Sequence, residues 1–280
     1  QTTDNRQQTS KNIKPPDLST KKNLLKLKIR KLIPRGILAV YTKRVEIFRR
    51  IRTAKYELNH SFIQRKSENI CPICNREIKK FRFVSVCPYC LATDKQRVFI
   101  HYLKNHMELL KKNGKNILIT PWEQDKKFFT DMQISYLISE YPENGKDLSL
   151  DLTNISLEDK SVDLIWASHI LEHIPNDKKA INELARVIHP KGKVFIAIPE
   201  TDNLEITYED KSIVNPKDRQ KAYGSEEHCR LYGQDFTKLL EKYFTVKVIN
   251  ISEYEKKHNI SYGQRGEGIQ SINLYICNTE

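Results

Sequence analysis

The chain has no apolar run approaching the roughly 18 residues that a membrane-spanning helix needs, which argues against a helical integral membrane protein. Its first residues lack the basic, then apolar, pattern of a secretory signal, so a cytoplasmic protein is expected. Disulfides are not expected either. Four of the six cysteines fall in two Cys-x-x-Cys pairs, a pattern of metal binding in a reducing compartment. Glycine is missing where a nucleotide-binding turn would need it. None of the 9 glycines lies in Ile119-Thr120-Pro121-Trp122-Glu123, the stretch after the first expected strand, and alone it suggests no nucleotide site.

What is present is unevenly placed. The formal net charge is +13, and residues 1–66 alone carry 18 Lys/Arg against 4 Asp/Glu. The remaining residues are close to neutral, so the excess belongs to the N-terminal segment. Residues 1–20 are polar, contain Pro15-Pro16, and read as a disordered tail. Residues 21–66 read as a basic arm of amphipathic helices, broken at Pro34-Arg35-Gly36. Leu25, Ile29, Leu32 and Ile33 share one face, and Val40, Tyr41, Phe48 and Ile51 lie on the second helix. Such an arm, through residues 21–59, suits peripheral contact with an anionic membrane, at the inner surface for a cytoplasmic protein. Contact with nucleic acid or plain packing on the following domain are the other readings, and the near-neutral remainder disfavours nucleic acid.

Residues 67–92 hold Cys71-x-x-Cys74 and Cys87-x-x-Cys90 with 12 residues between the pairs. Four thiolates at this spacing close a tetrahedron around Zn²⁺, as in a two-knuckle ribbon, and leave no open position, so the metal is structural.

Residues 93–280 carry the most informative pattern. Thr93 caps an expected helix over 94–112. Strands are expected at 116–120, 134–138, 148–150 and 162–167. After Asn176-Asp177, a helix N-cap, Ala180, Ile181, Leu184, Val187 and Ile188 recur at the helical period. Pro190-Lys191-Gly192 reads as the stop, 193–198 as the next strand, and Pro199 as its end. Strand, helix and strand in this order form a βαβ unit, hence an α/β fold with a parallel sheet. Open sheets of this kind bind ligands beyond the carboxyl ends of their strands. Ser168-His169 and Glu172-His173 follow the 162–167 strand directly and should face that crevice.

The run D-L-I-x-x-x-H-x-L-E-H-I-P, followed by a helix, H-P-K-G-K and an apolar strand ending in proline, resembles class I S-adenosylmethionine-dependent methyltransferases, in the small-molecule branch carrying "LEHIP". A narrower subgroup is similar too. It has an N-terminal pair of Cys-x-x-Cys elements, a first turn like Ala-Pro-Glu, a "YED" element matched by Tyr208-Glu209-Asp210, and an "HxRxYG" element matched by His228-Cys229-Arg230-Leu231-Tyr232-Gly233. Thr120 and the inserted Trp122 depart from that turn. The resemblance implies a Rossmann-like, seven-stranded, mostly parallel sheet with helices on both faces, preceded here by the zinc ribbon and the basic arm. It implies S-adenosyl-L-methionine as cofactor. Thr120, Pro121 and Glu123 would then form the first turn, and Glu140, past the second strand, would bind the ribose hydroxyls. Asp151 would accept from the adenine amino group with Leu152 over the ring, and Ser168 and His169 would lie below the sulfonium. Residues 253–269 read as a hairpin loop and 272–277 as a last, antiparallel strand.

Methyl transfer to oxygen needs a base, and neutral histidine suits it. His169, His173 and His228 are the candidates. His173 has a supporting role as its alternative. His228 and Arg230 alternate along an extended segment of the insertion over 200–234, which in this fold overhangs the acceptor. Arg230 suggests an anionic group on the acceptor; the alternative for this pair is a hydrogen-bonded clamp that holds the insertion. The expected activity is therefore O-methylation of a sugar, a glycolipid precursor or another small metabolite, with a small-molecule or glycan acceptor as partner. A ribosomal or transfer RNA methyltransferase and a non-catalytic scaffold on a degenerate fold are the rivals.

Overall fold

In a computed structural model the described residues are 70–78, 86–110, 114–139, 150–200, 203–260 and 273–279. The expected tail, the arm and Glu140 lie outside them.

Six strands make one sheet: β1 (Asn116–Ile119), β2 (Leu137–Ser139), β3 (Val162–Ser168), β4 (Ile188–Ala197), β5 (Thr245–Asn250) and β6 (Asn273–Asn278). Their order is β2-β1-β3-β4-β6-β5. The pairs among β1 to β4 are parallel, and β6 runs antiparallel to both β4 and β5. The sequence leads one to expect seven strands. Among the described residues there are six, because the expected strand at 148–150 falls outside them save for Leu150, which is not in a strand.

Both faces of the sheet are buried, which is why the strands read as continuous apolar runs. Alternate side chains feed two cores. Ile117, Ile119, Ile165, Ala167, Val194 and Ile196 pack against Ala180, Ile181, Leu184 and Val187 of helix α3 (Asp177–Val187). Leu118, Leu164, Trp166 and Phe195 point the other way, onto Val98, Phe99 and Leu103 of helix α1 (Asp94–Asn105) and Phe128 and Phe129 of helix α2 (Glu123–Asp131). The Trp166 ring stacks on Phe99 at 4.1 Å between centroids and 4° between planes. Such a pair contributes ~1 kcal/mol beyond the area it buries.

Local chemistry moves several element ends away from the sequence reading. Helix α1 stops at Asn105, not 112, where the Asn105 side-chain Nδ2 donates to the His101 carbonyl at 2.9 Å and competes with the helical ladder. β2 starts at Leu137 rather than 134. Helix α2 closes with the Ile134 amide on the Phe129 carbonyl and the Gln133 amide on the Thr130 carbonyl. Gln133 takes φ 55° to do so. This is a Schellman ending that consumes Gln133 and Ile134. Gly192 does not end a helix. It lies inside β4, where an added Cβ would stand 2.7 Å from the Asp163 carbonyl oxygen. The polar stretch after β5 begins with helix α6 (Ile251–Lys257), whose N-cap Asn250 accepts from the Glu253 amide. Its Glu255 pairs with the fully buried Arg97 of α1.

Between β4 and β5 the insertion contains helix α4 (Pro216–Tyr223) and returns to the sheet before helix α5 (Phe236–Leu240). Isolated bridges tie Glu200 to Tyr232 and Tyr208 to Leu231, so the two ends of the insertion lie side by side.

Candidate functional site

The four cysteine sulfurs lie within 4.8 Å of one another. Cys71 and Cys90 sulfurs are 3.7 Å apart, and Cys74 and Cys87 sulfurs 3.8 Å. Zn–S bonds of about 2.3 Å in a tetrahedron set sulfurs about 3.8 Å apart, so the cluster fits zinc. The two knuckles are built alike. The Asn75 amide bonds the Cys71 carbonyl and the Leu91 amide bonds the Cys87 carbonyl, each at 2.9 Å. Asn75 and Leu91 both have positive φ, 55° and 65°. The ribbon is fastened to the domain. Gln124 of α2 donates to the Cys90 carbonyl at 2.7 Å, and Arg97 of α1 donates to the Ala92 carbonyl at 3.0 Å.

Three carboxyl ends meet where a crevice is expected. β2, β1 and β3 are neighbours, and each hands over to a residue named in the sequence reading. Thr120 follows β1 with φ 46°, and its amide bonds the Ser139 carbonyl at 2.9 Å. His169 follows β3 with φ 54°, and its amide bonds the Ala197 carbonyl at 2.8 Å. Positive φ is strained for both, and for the β-branched threonine it is an outlier. Ser168 is buried at the end of β3. Pro121 is half-buried and Glu123 exposed, starting α2, where it pairs with Lys126 at 3.1 Å. Trp122 is held by its amide on Asp125 Oδ2 at 2.9 Å, and its side chain is exposed. Asp151 is exposed and accepts from the Thr153 amide and hydroxyl, both at 2.8 Å. Those bonds hold its carboxyl below the usual range. Leu152 is buried and packs into the α3-side core. Glu140 directly follows the last residue of β2 and lies outside the described residues.

The histidines form one cluster. Leu171–His173 makes a single 3-10 turn after β3. It carries Glu172 inward, with its side chain fully buried. His169 Nδ1 stands 3.2 Å from Glu172 Oε1, and His173 Nε2 stands 4.0 Å from it. Neither Glu172 oxygen reaches full hydrogen-bond geometry with a described donor. His228 comes in from the insertion, its ring meeting that of His173 edge to face at 4.8 Å. Burial pushes the Glu172 carboxyl up, and the imidazoles of His169 and His173 outweigh it and hold the group ionised. Burial pulls His169 and His228 down, so both are neutral near pH 7.

Arg230 turns its guanidinium onto the loop after β3. Its Nη1 donates to the carbonyls of Leu171 at 3.0 Å and Ile174 at 2.7 Å, and Nη2 donates to the Pro175 carbonyl at 2.8 Å. Nη2 also reaches Glu209 Oε1 at 3.4 Å, and Nε reaches Glu209 Oε2 at 3.3 Å. All five donors are engaged and the side chain is 1% exposed, so the clamp describes it and anion binding does not. Tyr232 adds its hydroxyl to Asp177 Oδ2 at 2.8 Å. The insertion is thus pinned to the histidine loop, with a cavity of about 440 Å³ beside the clamp. Asp177, Glu209, Asp210, Lys211, Arg219 and Cys229 contribute to its lining.

One residue was missed as a site member, and one was placed without a role. Glu172 was expected to face the crevice, but spacing does not say that its carboxylate is buried between two imidazoles. Lys95, in the first turn of α1, is electrostatically coupled to Glu172 and to His169. Burial brings its ammonium down to about 8, against the pull of Glu172, Asp94 and Asp125. Its only signal in the sequence is its place two residues after the Thr93 cap.

Residues 130–196 match the family described as "Methyltransferase domain". One curated relative, an uncharacterized 37.1 kDa protein in transposon TN4556 of Streptomyces fradiae, is 32% identical over 63 residues, which are 22% of this chain and 18% of that protein. Among solved structures, a candidate sarcosine dimethylglycine methyltransferase from Galdieria sulphuraria is 15% identical with a TM-score of 0.44, covering 64% of this chain and 84% of that one. Phosphoethanolamine N-methyltransferase 2 from Haemonchus contortus, in complex with S-adenosyl-L-methionine, is 13% identical with a TM-score of 0.41, covering 56% and 39%. At these scores the two likenesses add nothing to what the strand order carries by itself. The family match runs through the 3-10 turn with Glu172 and His173 and ends in β4, so the strand–loop–helix–strand segment around the histidine loop is similar to a methyltransferase domain.

Proposed function

We propose that the protein transfers a methyl group from S-adenosylmethionine to an oxygen of a small, polar acceptor such as a sugar, a glycolipid precursor or another hydroxylated metabolite. The observation that carries this reading is the cluster of His169, His173 and His228 around Glu172 at the carboxyl end of β3. Three imidazoles beside one buried carboxylate are more than sheet packing needs, and they suit proton removal from a hydroxyl.

The residues present fit the cofactor. The Thr120 and His169 turns, both at positive φ, stand at the carboxyl ends of the adjacent strands β1 and β3, the place where open parallel sheets take their ligands. Glu140 would hold the ribose hydroxyls, Asp151 the adenine amino group with Leu152 near the ring, and Thr120, Pro121 and Glu123 the methionine end. When bound, S-adenosylmethionine supplies an electrophilic methyl group, and the protein positions the acceptor and excludes water. His169 is the base on this reading. It is neutral near pH 7, and the Glu172 carboxylate, 3.2 Å from Nδ1, stabilises the charge it gains. The acceptor proton goes to His169 as the oxygen–methyl bond forms and the sulfur–methyl bond breaks.

The test is calorimetry with S-adenosylhomocysteine, followed by transfer of labelled methyl to a panel of sugars and glycolipid headgroups. Binding with label in a hydroxylated acceptor supports the reading. No binding at high micromolar concentration overturns the enzyme reading in favour of a scaffold, and label found only in RNA overturns the acceptor class.

A further inference from the structure

Glu172, His173 and His228 each offer one donor atom, and these lie within 4.8 Å of one another. Two imidazoles and one carboxylate are a donor set for divalent transition metals. Three independent features go beyond proximity. First, Glu172 is fully buried, and beyond the contact of Oε1 with His169 Nδ1 at 3.2 Å neither of its oxygens reaches hydrogen-bond geometry with a described donor. A buried carboxylate so sparsely satisfied gains from a bound cation. Second, His228 Nδ1 lies 3.1 Å from the Tyr223 carbonyl oxygen. A carbonyl only accepts, so the proton sits on Nδ1 and Nε2 keeps its lone pair. Third, His173 presents Nε2 to Glu172 at 4.0 Å and Nδ1 to Glu227 at 3.8 Å. At 3.8 Å Glu227 is beyond hydrogen-bond reach, so binding of an ion would have to draw it in as the oxygen acceptor that metal-binding histidines use.

We infer that Glu172, His173 and His228 form a second metal site, distinct from the cysteine cluster, for a divalent cation such as Mn²⁺, Zn²⁺ or Fe²⁺. Metal–nitrogen and metal–oxygen bonds of about 2.1 Å hold neighbouring donors about 3.0–3.4 Å apart, so donors now up to 4.8 Å apart would close by up to about 1.5 Å on the ion. The insertion supplies one ligand and the β3 loop two, and Arg230 fixes both segments to each other. Lys95 faces the same carboxylate from α1 and would give way to the ion. With three protein donors the cation keeps open positions. On the methyl-transfer reading, on which this clause alone rests, those positions take an acceptor hydroxyl and lower its pKa before His169 removes the proton.

The test uses the full chain with zinc in the cysteine site, titrated with Mn²⁺ alone and followed by electron paramagnetic resonance of the free ion. One further equivalent should bind, and Glu172→Gln and His228→Ala should each weaken it at least tenfold, with one zinc per chain retained. His228 is half-buried in the insertion, so its variant decides the matter if Glu172→Gln fails to fold. Absence of Mn²⁺ uptake, or uptake unchanged in the variants, overturns the site. S-adenosylhomocysteine binding, measured on the same samples, separates this failure from failure of the methyltransferase reading. Cofactor binding without Mn²⁺ sinks only the metal site, and Mn²⁺ without cofactor sinks only methyl transfer.

Discussion

The rings of His173 and His228 meet edge to face with centroids 4.8 Å apart, although one sits on the loop after β3 and the other on the insertion after β4. The contact exists because Arg230, two residues on, drives its guanidinium into the carbonyls of Leu171, Ile174 and Pro175. Position and chemistry are thus divided between neighbours: the arginine holds the segment, and the histidine presents a ring.

Arg230→Ala should therefore act through the fold. Removing a buried cation leaves Glu209 and three carbonyls without their donor, a loss of about 3–5 kcal/mol. The expected result is a lower denaturation midpoint and faster amide exchange over residues 203–234. A stable variant in which only the acceptor KM rises would return Arg230 to the role of anion ligand.

Cys74→Ser should release the zinc of the cysteine cluster and loosen the domain beyond the ribbon. Structural zinc contributes about 10–16 kcal/mol of binding free energy to small modules. Here the ribbon also holds α2 through Gln124 and the Cys90 carbonyl, next to the Thr120 turn. Metal analysis should show one zinc fewer per chain, and calorimetry should show weaker S-adenosylhomocysteine binding. Cofactor affinity equal to that of the unaltered chain would mean that ribbon and crevice are independent.

Much of this was legible in the residues, and what was not has identifiable causes. The βαβ unit could be read because β3 and β4 are buried on both faces and α3 has one apolar stripe, so each pattern has a single solution. The cysteine spacing was legible because tetrahedral thiolate geometry fixes it. Element ends were not. The Schellman ending at Gln133 and the turn-back of Asn105 use residues without glycine or proline, so nothing in the sequence marks them. Gly192 looked like a helix stop, but only the distance to the Asp163 carbonyl shows what it is for. For Arg230 the sequence left two readings open, since a charged residue near a site has the same sequence signature whether it faces a ligand or a carbonyl, and the bonds to Leu171, Ile174 and Pro175 favour the clamp.

Glu140→Ala should abolish cofactor binding. β2 ends at Ser139, whose carbonyl accepts from the Thr120 amide, so residue 140 is the first in sequence past the strand. A carboxylate there accepts two hydroxyl bonds at once, each worth about 1.5–3 kcal/mol to a charged acceptor, and their loss costs a hundredfold or more in affinity. Calorimetry with S-adenosylhomocysteine reads this directly. Affinity within a fewfold of the unaltered chain would move the ribose contact to another residue.

Thr120→Gly tests whether the missing glycine matters. Thr120 holds φ 46°, where a β-branched side chain costs about 1–3 kcal/mol and glycine adopts the conformation freely. Against this gain stands the larger backbone entropy that glycine loses on folding, up to about 1 kcal/mol. The net expectation is a variant more stable by about 1 kcal/mol, with cofactor affinity equal or higher because the backbone approaches the ligand without a Cβ in the way. Urea denaturation gives the first quantity and calorimetry the second. A variant that loses stability would show that the threonine side chain makes a compensating contact, and that the turn departs from glycine because this chain needs threonine there.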